Sequence, residues 1–146
     1  KCYDKRIKQD QANESSFSNP LILKSGKKAY SALMGEIDWS KNHMYNTEIY
    51  KSAWDICVNG REPVTKEEKL IKQNFGRRND YFANFKNVDE YIKHNCSFWC
   101  YGVATNDDYT CADTSDPIKW TGDFFDRFIK GLPDNERLSI YEIKLL

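Results

Sequence analysis

The sequence predicts an α+β fold: an antiparallel or mixed sheet of about four to five strands with helices mainly on one face. Three observations lead there. Alternating apolar and polar residues occupy positions 29–39 and 138–145, near the two ends of the chain. Helical spacing fills the middle. The last third, residues 97–146, reads strand, turn, strand, helix, strand.

Residues 1–18 are polar, with Tyr3, Ile7 and Phe17 in no sustained period. They read as an N-terminal arm ahead of a single domain over 19–146. Residues 21–23 and 29–34 flank Gly26, which supplies the positive φ of a tight hairpin turn. A second strand persisting to Trp39 puts Ala32, Met34, Glu36 and Asp38 on one face. After the polar connection 40–43, a helix is expected over 47–58. Ile49, Tyr50, Ala53, Trp54 and Cys57 form its apolar face, Asn46 caps its start and Gly60 ends it. Pro63 breaks the chain. Thr65 and Glu68 form a capping box that opens a helix carrying Leu70, Ile71 and Phe75. Residues 76–80 interrupt it, and Tyr81, Phe82 and Phe85 resume the apolar pattern. Asn87 caps a short helix over 88–93.

Residues 98–104 form a β-rich apolar run, 106–108 a turn and 109–112 the return. Asp116 caps the final helix, and Pro117 takes its first position, where a missing N–H costs nothing. Trp120, Phe124 and Phe128 follow one face through Lys130, and Gly131 with Pro133 ends it. Residues 138–145 close the fold as a strand. The sum of these elements suggests a ferredoxin-like or similar split arrangement of the sheet, and the closing strand, Trp/Phe-rich helix and strand, about a third of the chain, resembles small ferredoxin-like modules. The resemblance carries no diagnostic motif and transfers no activity.

Composition narrows the function classes. Lys and Arg number 22 and so do Asp and Glu, for a formal net charge of zero. Nucleic-acid binders usually carry a basic excess and nucleic-acid mimics an acidic one, so the balance argues against both. No apolar run reaches the roughly 20 residues of a membrane span. Cys2, Cys57, Cys96, Cys100 and Cys111 lack regular spacing and read as free thiols of a cytoplasmic protein, with one or two bridges the minority reading. The sequence begins at Lys1 rather than Met, which suggests a removed or omitted start. Heavy use of Lys, Asn, Tyr, Asp and Ile points to an AT-rich bacterial or phage genome.

Three groups of residues are candidates for chemistry. Glu36 and Asp38, two apart on one strand face, with His43 nearby, are suited to sharing a proton or to general acid–base work. A metal needs a further ligand, and none is assigned. Arg77 and Arg78, with Tyr81, suit a small anionic ligand held by guanidinium groups beside a stacking ring. Trp99 and Tyr101, on one face of the 98–104 strand, suit an interface. A zinc reading of Cys96 and Cys100 fails on distance, because an extended chain separates them by about 13 Å. No phosphate loop, dinucleotide fingerprint or nucleophile elbow is present, so no cofactor is implied.

The expectation is a small binding or regulatory protein acting through an aromatic-rich interface, on a protein partner or as a homodimer. A phage-encoded inhibitor of a larger bacterial defence complex is one concrete form. The alternative is a small enzyme or ligand binder with a pocket between sheet and middle helices, lined by Glu36, Asp38, His43, Arg77 and Arg78.

Overall fold

The computed structural model describes residues 19–77, 79–112 and 115–142. The predicted N-terminal arm and the end of the closing strand lie outside them. The fold mixes helices with short antiparallel strands. It comprises two compact units, one made of the chain up to Asn42 together with the chain from Gly131, the other of His43–Lys130. No helix among the described residues is long and apolar enough to cross a membrane.

In the first unit, β1 (Leu21–Ile22) pairs antiparallel with β2 (Lys28–Ala29), and Gly26 at φ +85° makes the predicted turn. β1 also pairs on its other side. Leu23 bridges Ile37, and the Asp38 N–H donates to the Ile22 carbonyl at 3.0 Å. The Asn42 side chain extends this edge. Its Nδ2 donates to the Ile22 carbonyl at 2.8 Å, and its Oδ1 accepts from the Ile22 N–H at 3.0 Å. One amide thus satisfies both backbone groups of Ile22, as a neighbouring strand would. Asn42 belongs to α1 (Trp39–Asn42), a single helical turn. β3 (Ser31–Leu33) pairs with β6 (Arg137–Ser139), and the Ser31 and Ser139 hydroxyls meet at 2.9 Å across the ladder.

The strand predicted to run on to Trp39 stops at Leu33. Met34–Glu36 form a 3₁₀ turn. The Met34 and Gly35 N–H groups donate to the Glu136 and Asp134 carbonyls, and the Glu36 carboxylate accepts from the Leu33 N–H at 3.1 Å. This turn shifts the alternation by one position. Ala32, Met34 and Ile37 are buried, whereas Glu36 is exposed. Glu36 and Asp38 therefore do not share the face of Met34.

The second unit begins with α2 (Thr47–Cys57), α3 (Lys66–Phe75), α4 (Asn79–Phe82) and α5 (Val88–Cys96). A hairpin of β4 (Gly102–Ala104) and β5 (Tyr109–Cys111) follows, then α6 (Pro117–Phe124). α2 packs on α3 and α5, and α5 packs on α6. Three predicted caps form. Thr65 Oγ1 accepts from the Glu68 N–H, Asn87 Oδ1 from the Glu90 N–H and Asp116 Oδ1 from the Lys119 N–H, at 2.9–3.1 Å. Asn46 precedes α2 but does not cap it. Its backbone is left-handed (φ +62°), whereas a capping side chain reaches the helix N–H groups from extended backbone. α5 runs on to Cys96, beyond the predicted end at 93. Of the predicted 98–104 strand, Gly102–Ala104 is paired.

Among the described residues the ladders are β1–β2, β3–β6 and β4–β5, each of two strands. They do not assemble the predicted sheet of about four to five strands or a ferredoxin-like order. The turn at Met34–Glu36 and the extension of α5 cut the alternating runs into strands of two or three residues.

Tyr91, with 0% exposure, centres the helical core. Its ring lies 5.1–5.8 Å from the rings of Tyr50, Trp54, Phe82 and Phe85. Aromatic pairs in this range contribute about 0.5–1.5 kcal/mol beyond area burial. Tyr81 joins the cluster and donates its hydroxyl to Asn95 Oδ1 at 3.0 Å.

The final helix departs from α geometry after Phe124. Phe125–Ile129 is a π turn, closed by the Lys130 N–H on the Phe125 carbonyl at 2.8 Å. The extra residue rotates the inward face by one position. Ile129 follows Phe124 into the core, and Phe128 is left half-buried. Arg127 then lies over two rings, 4.7 Å from Phe128 and 5.8 Å from Trp120.

Among the described residues the buried Tyr91 hydroxyl has no hydrogen-bond partner. An unsatisfied buried hydroxyl costs about 1–3 kcal/mol. Tyr91→Phe keeps the ring and removes this cost. We expect urea unfolding of the variant to give a stability equal to wild type or up to ~1 kcal/mol higher. A loss greater than that would show that the hydroxyl is satisfied in solution.

Candidate functional site

The site is built on residues 96–101, which leave α5 and lead into β4. The backbone here is held at four points. The Cys96 carbonyl accepts from the Met44 N–H at 2.7 Å. The Phe98 N–H donates to His43 Nδ1 at 3.1 Å. The Cys100 carbonyl accepts from Trp120 Nε1–H at 2.9 Å. The Tyr101 carbonyl accepts from the Ala112 N–H at 2.7 Å. The first two anchors come from a turn with Met44 (φ +55°) and Asn46 in left-handed backbone. The third comes from a buried indole on α6.

His43 is a structural acceptor. Its ring stacks on Phe125 with centroids 3.6 Å apart and planes 11° apart. With Nδ1 accepting the Phe98 N–H, neutral imidazole carries its proton on Nε2. Burial lowers the His43 pKa below the usual 6.5, and nearby Asp126 opposes the shift. His43 therefore stays neutral near pH 7 and keeps its acceptor lone pair.

The pinned backbone presents two rings. Trp99 and Tyr101 meet edge to face at 4.8 Å; Trp99 is half-buried and Tyr101 is 76% exposed. Antiparallel pairing sets Ala104 opposite Tyr109 and Gly102 opposite Cys111. These four share one face, and Val103 and Thr110 lie on the other. Tyr109, 53% exposed, leans diagonally over Gly102. A Cβ at position 102 would lie 2.6 Å from the Tyr109 hydroxyl, so glycine makes room for the ring. The hairpin turn is organised by Thr105, whose Oγ1 accepts from the Asp108 N–H at 3.1 Å and whose N–H donates to the Asp108 carbonyl at 2.8 Å.

The other residues singled out in the sequence occupy different settings. Glu36 and Asp38 belong to the first unit. Asp38 accepts from the Ser40 hydroxyl at 2.5 Å, and this bond, with Lys41 nearby, lowers its pKa. In the second unit, Arg77 is exposed in the turn after α3, and Tyr81 is packed in the core cluster. Arg78 lies outside the described residues. Sequence alternation paired Trp99 with Tyr101, and the structure brings them together. The site residues it missed are Tyr109, Trp120 and the His43–Phe125 stack. Tyr109 lies two residues from Cys111, the partner of Gly102, and that pairing register is not legible in the sequence.

Thiol chemistry is disfavoured here. Burial raises the Cys100 pKa and pushes Cys96 up to about 11, so both are protonated near neutrality. Cys57, Cys96, Cys100 and Cys111 are free. Among the described residues no group of three or more His, Cys, Asp or Glu is placed to hold a metal ion. The arrangement is suited to contact, with aromatic rings on a fixed backbone. Comparisons with models of known families, with curated proteins and with solved structures find no match to this chain.

The His43 pKa sets a pH dependence. The unfolded chain takes up a proton at the usual 6.5, and the native state resists it. The stability contributed by neutral His43 is thus complete above about pH 6.5 and is lost as pH falls from there toward the lower native value. His94, also lowered by burial, acts in the same sense. We expect urea midpoints to be level above about pH 7 and to fall between about pH 6.5 and 5. His43→Gln should flatten part of that fall. A wild-type midpoint unchanged down to about pH 5 would contradict this account.

Proposed function

We propose that the chain is a binding or regulatory protein whose contact surface is the β4–β5 hairpin with Trp99, Tyr101 and Tyr109. The observation that carries this reading is the contrast at Tyr101, whose ring is 76% exposed while its backbone carbonyl is tied to Ala112. A large ring on a fixed backbone loses little freedom when it is covered. Such rings supply much of the binding energy at protein interfaces. Each aromatic side chain offers roughly 150–250 Å² to bury.

The hairpin itself supports the reading. Two strands alone are marginal in water and gain stability when a face is covered. Trp99 and Tyr101 meet edge to face and Tyr109 leans over Gly102, so a partner gains contact with rings from both sides of the hairpin turn. A protein surface, from another protein or a second copy of this chain, supplies the area that a small molecule lacks.

Tyr101→Ala and Trp99→Ala test the proposal. Both should unfold cooperatively in urea, with the exposed Tyr101 variant within ~1 kcal/mol of wild type. Both should weaken association, read as molar mass by light scattering for self-association and as recovery of bound protein on the immobilised chain for a partner. Equal molar mass and equal recovery for wild type and both variants would overturn the proposal.

A further inference from the structure

Resting on that reading, we infer that the occupant of the hairpin is a cationic protein segment, a stretch bearing Lys or Arg that lies along β4–β5 and over its turn. Charge distribution is the ground for this. The chain is neutral overall, yet residues 95–118 carry Asp107, Asp108, Asp113 and Asp116 and no Lys, Arg or His. Two of these, Asp107 and Asp108, stand at the hairpin tip, which thus carries acidic and no basic side chains.

The tip carboxylates, Asp107 and Asp108, are exposed and have no ion pair among the described residues. Asp108 Oδ1 accepts from the Tyr109 N–H at 2.7 Å, which fixes one oxygen of this exposed group. Two of the basic residues around α3 differ. Arg61 is paired with Asp55 and Glu68, and Lys72 with Glu62.

The rings carry the same preference. The face of a tyrosine is electrostatically negative and attracts ammonium or guanidinium. Tyr101 and Tyr109 bring such faces to the strands that end at Asp107 and Asp108. Tyr101 lies four residue steps before Thr105, where the turn begins, about 13 Å along an extended chain. An extended segment with basic side chains a few positions apart spans that distance, with one cation over a ring and another at the tip. Anionic partners, nucleic acid among them, are repelled by the same carboxylates.

Three dodecapeptides serve as probes: Gly-Arg, Gly-Glu and Gly-Ser repeats, each titrated into the ¹⁵N-labelled full chain and followed by NMR. Gly-Arg should shift the Tyr101 and Thr105–Cys111 amides and bind at least threefold more weakly at about 200 mM than at about 50 mM salt. Asp107→Asn with Asp108→Asn should weaken it roughly fivefold, since Asn retains the turn acceptor and removes the charge. Gly-Glu or Gly-Ser binding equally well, Gly-Arg shifts confined to other residues, or full affinity in the double variant would each overturn the inference. The aromatic reading and the cationic one fail separately. Association lost with Tyr101→Ala but indifferent to the Asp variants and to Gly-Arg leaves the aromatic surface and removes the cationic occupant. Gly-Arg binding that needs the Asp pair but is indifferent to Trp99→Ala and Tyr101→Ala does the reverse.

Discussion

The burial of Tyr91 is the constraint on which the His43–Lys130 unit depends. Its ring is enclosed by side chains from α2, α4 and the loop before α5. Burying an aromatic side chain of about 200 Å² at about 25 cal/mol per Å² is worth roughly 5 kcal/mol. That exceeds the roughly 1–3 kcal/mol cost of an unsatisfied hydroxyl, so the ring goes inside with its hydroxyl unmet. The position of α5 then follows. Its last residue, Cys96, receives the Met44 N–H, and the turn containing Met44 places His43 under Phe98. The site is thus an extension of the core.

What could be read in the sequence was what local bonds decide. Thr65, Asn87 and Asp116 cap helices through bonds three residues long, and a hairpin with Gly26 closes on itself. What could not be read depends on distant partners. The turn at Met34–Glu36 is stabilised by carbonyls of Asp134 and Glu136, about a hundred residues on. The strand expected over 98–104 is mostly irregular, because Trp120 and His43 take bonds that a neighbouring strand would have made. Asn46 looked like a cap by residue type, but its left-handed backbone turned the side chain to no such use.

The same division holds at the site. Alternation set Trp99 beside Tyr101, two residues apart in sequence, and their rings meet even though the backbone between them is irregular. The sequence also singled out His43, but as a titrating group. Its Phe125 ring partner sits 82 positions away, and the stack with the Phe98 N–H makes it an acceptor. Tyr109 stands out once the strand register is known, since its ring comes to fill the space above Gly102 only when the two strands are paired.

The π turn at Phe125–Ile129 has a consequence for descent. Five residues close a ring that an α-helix closes with four, so this stretch holds one residue more than regular geometry needs. A homologue one residue shorter here would continue α6 regularly. The residue equivalent to Ile129 would then fall four after Phe124 and keep its core place, while the residues between them would be re-aimed and the guanidinium stacked on Trp120 and Phe128 would lose its seat. A single-residue gap at this point of an alignment would therefore mark a change in the surface behind Cys100, more reliably than the identity of any one side chain there.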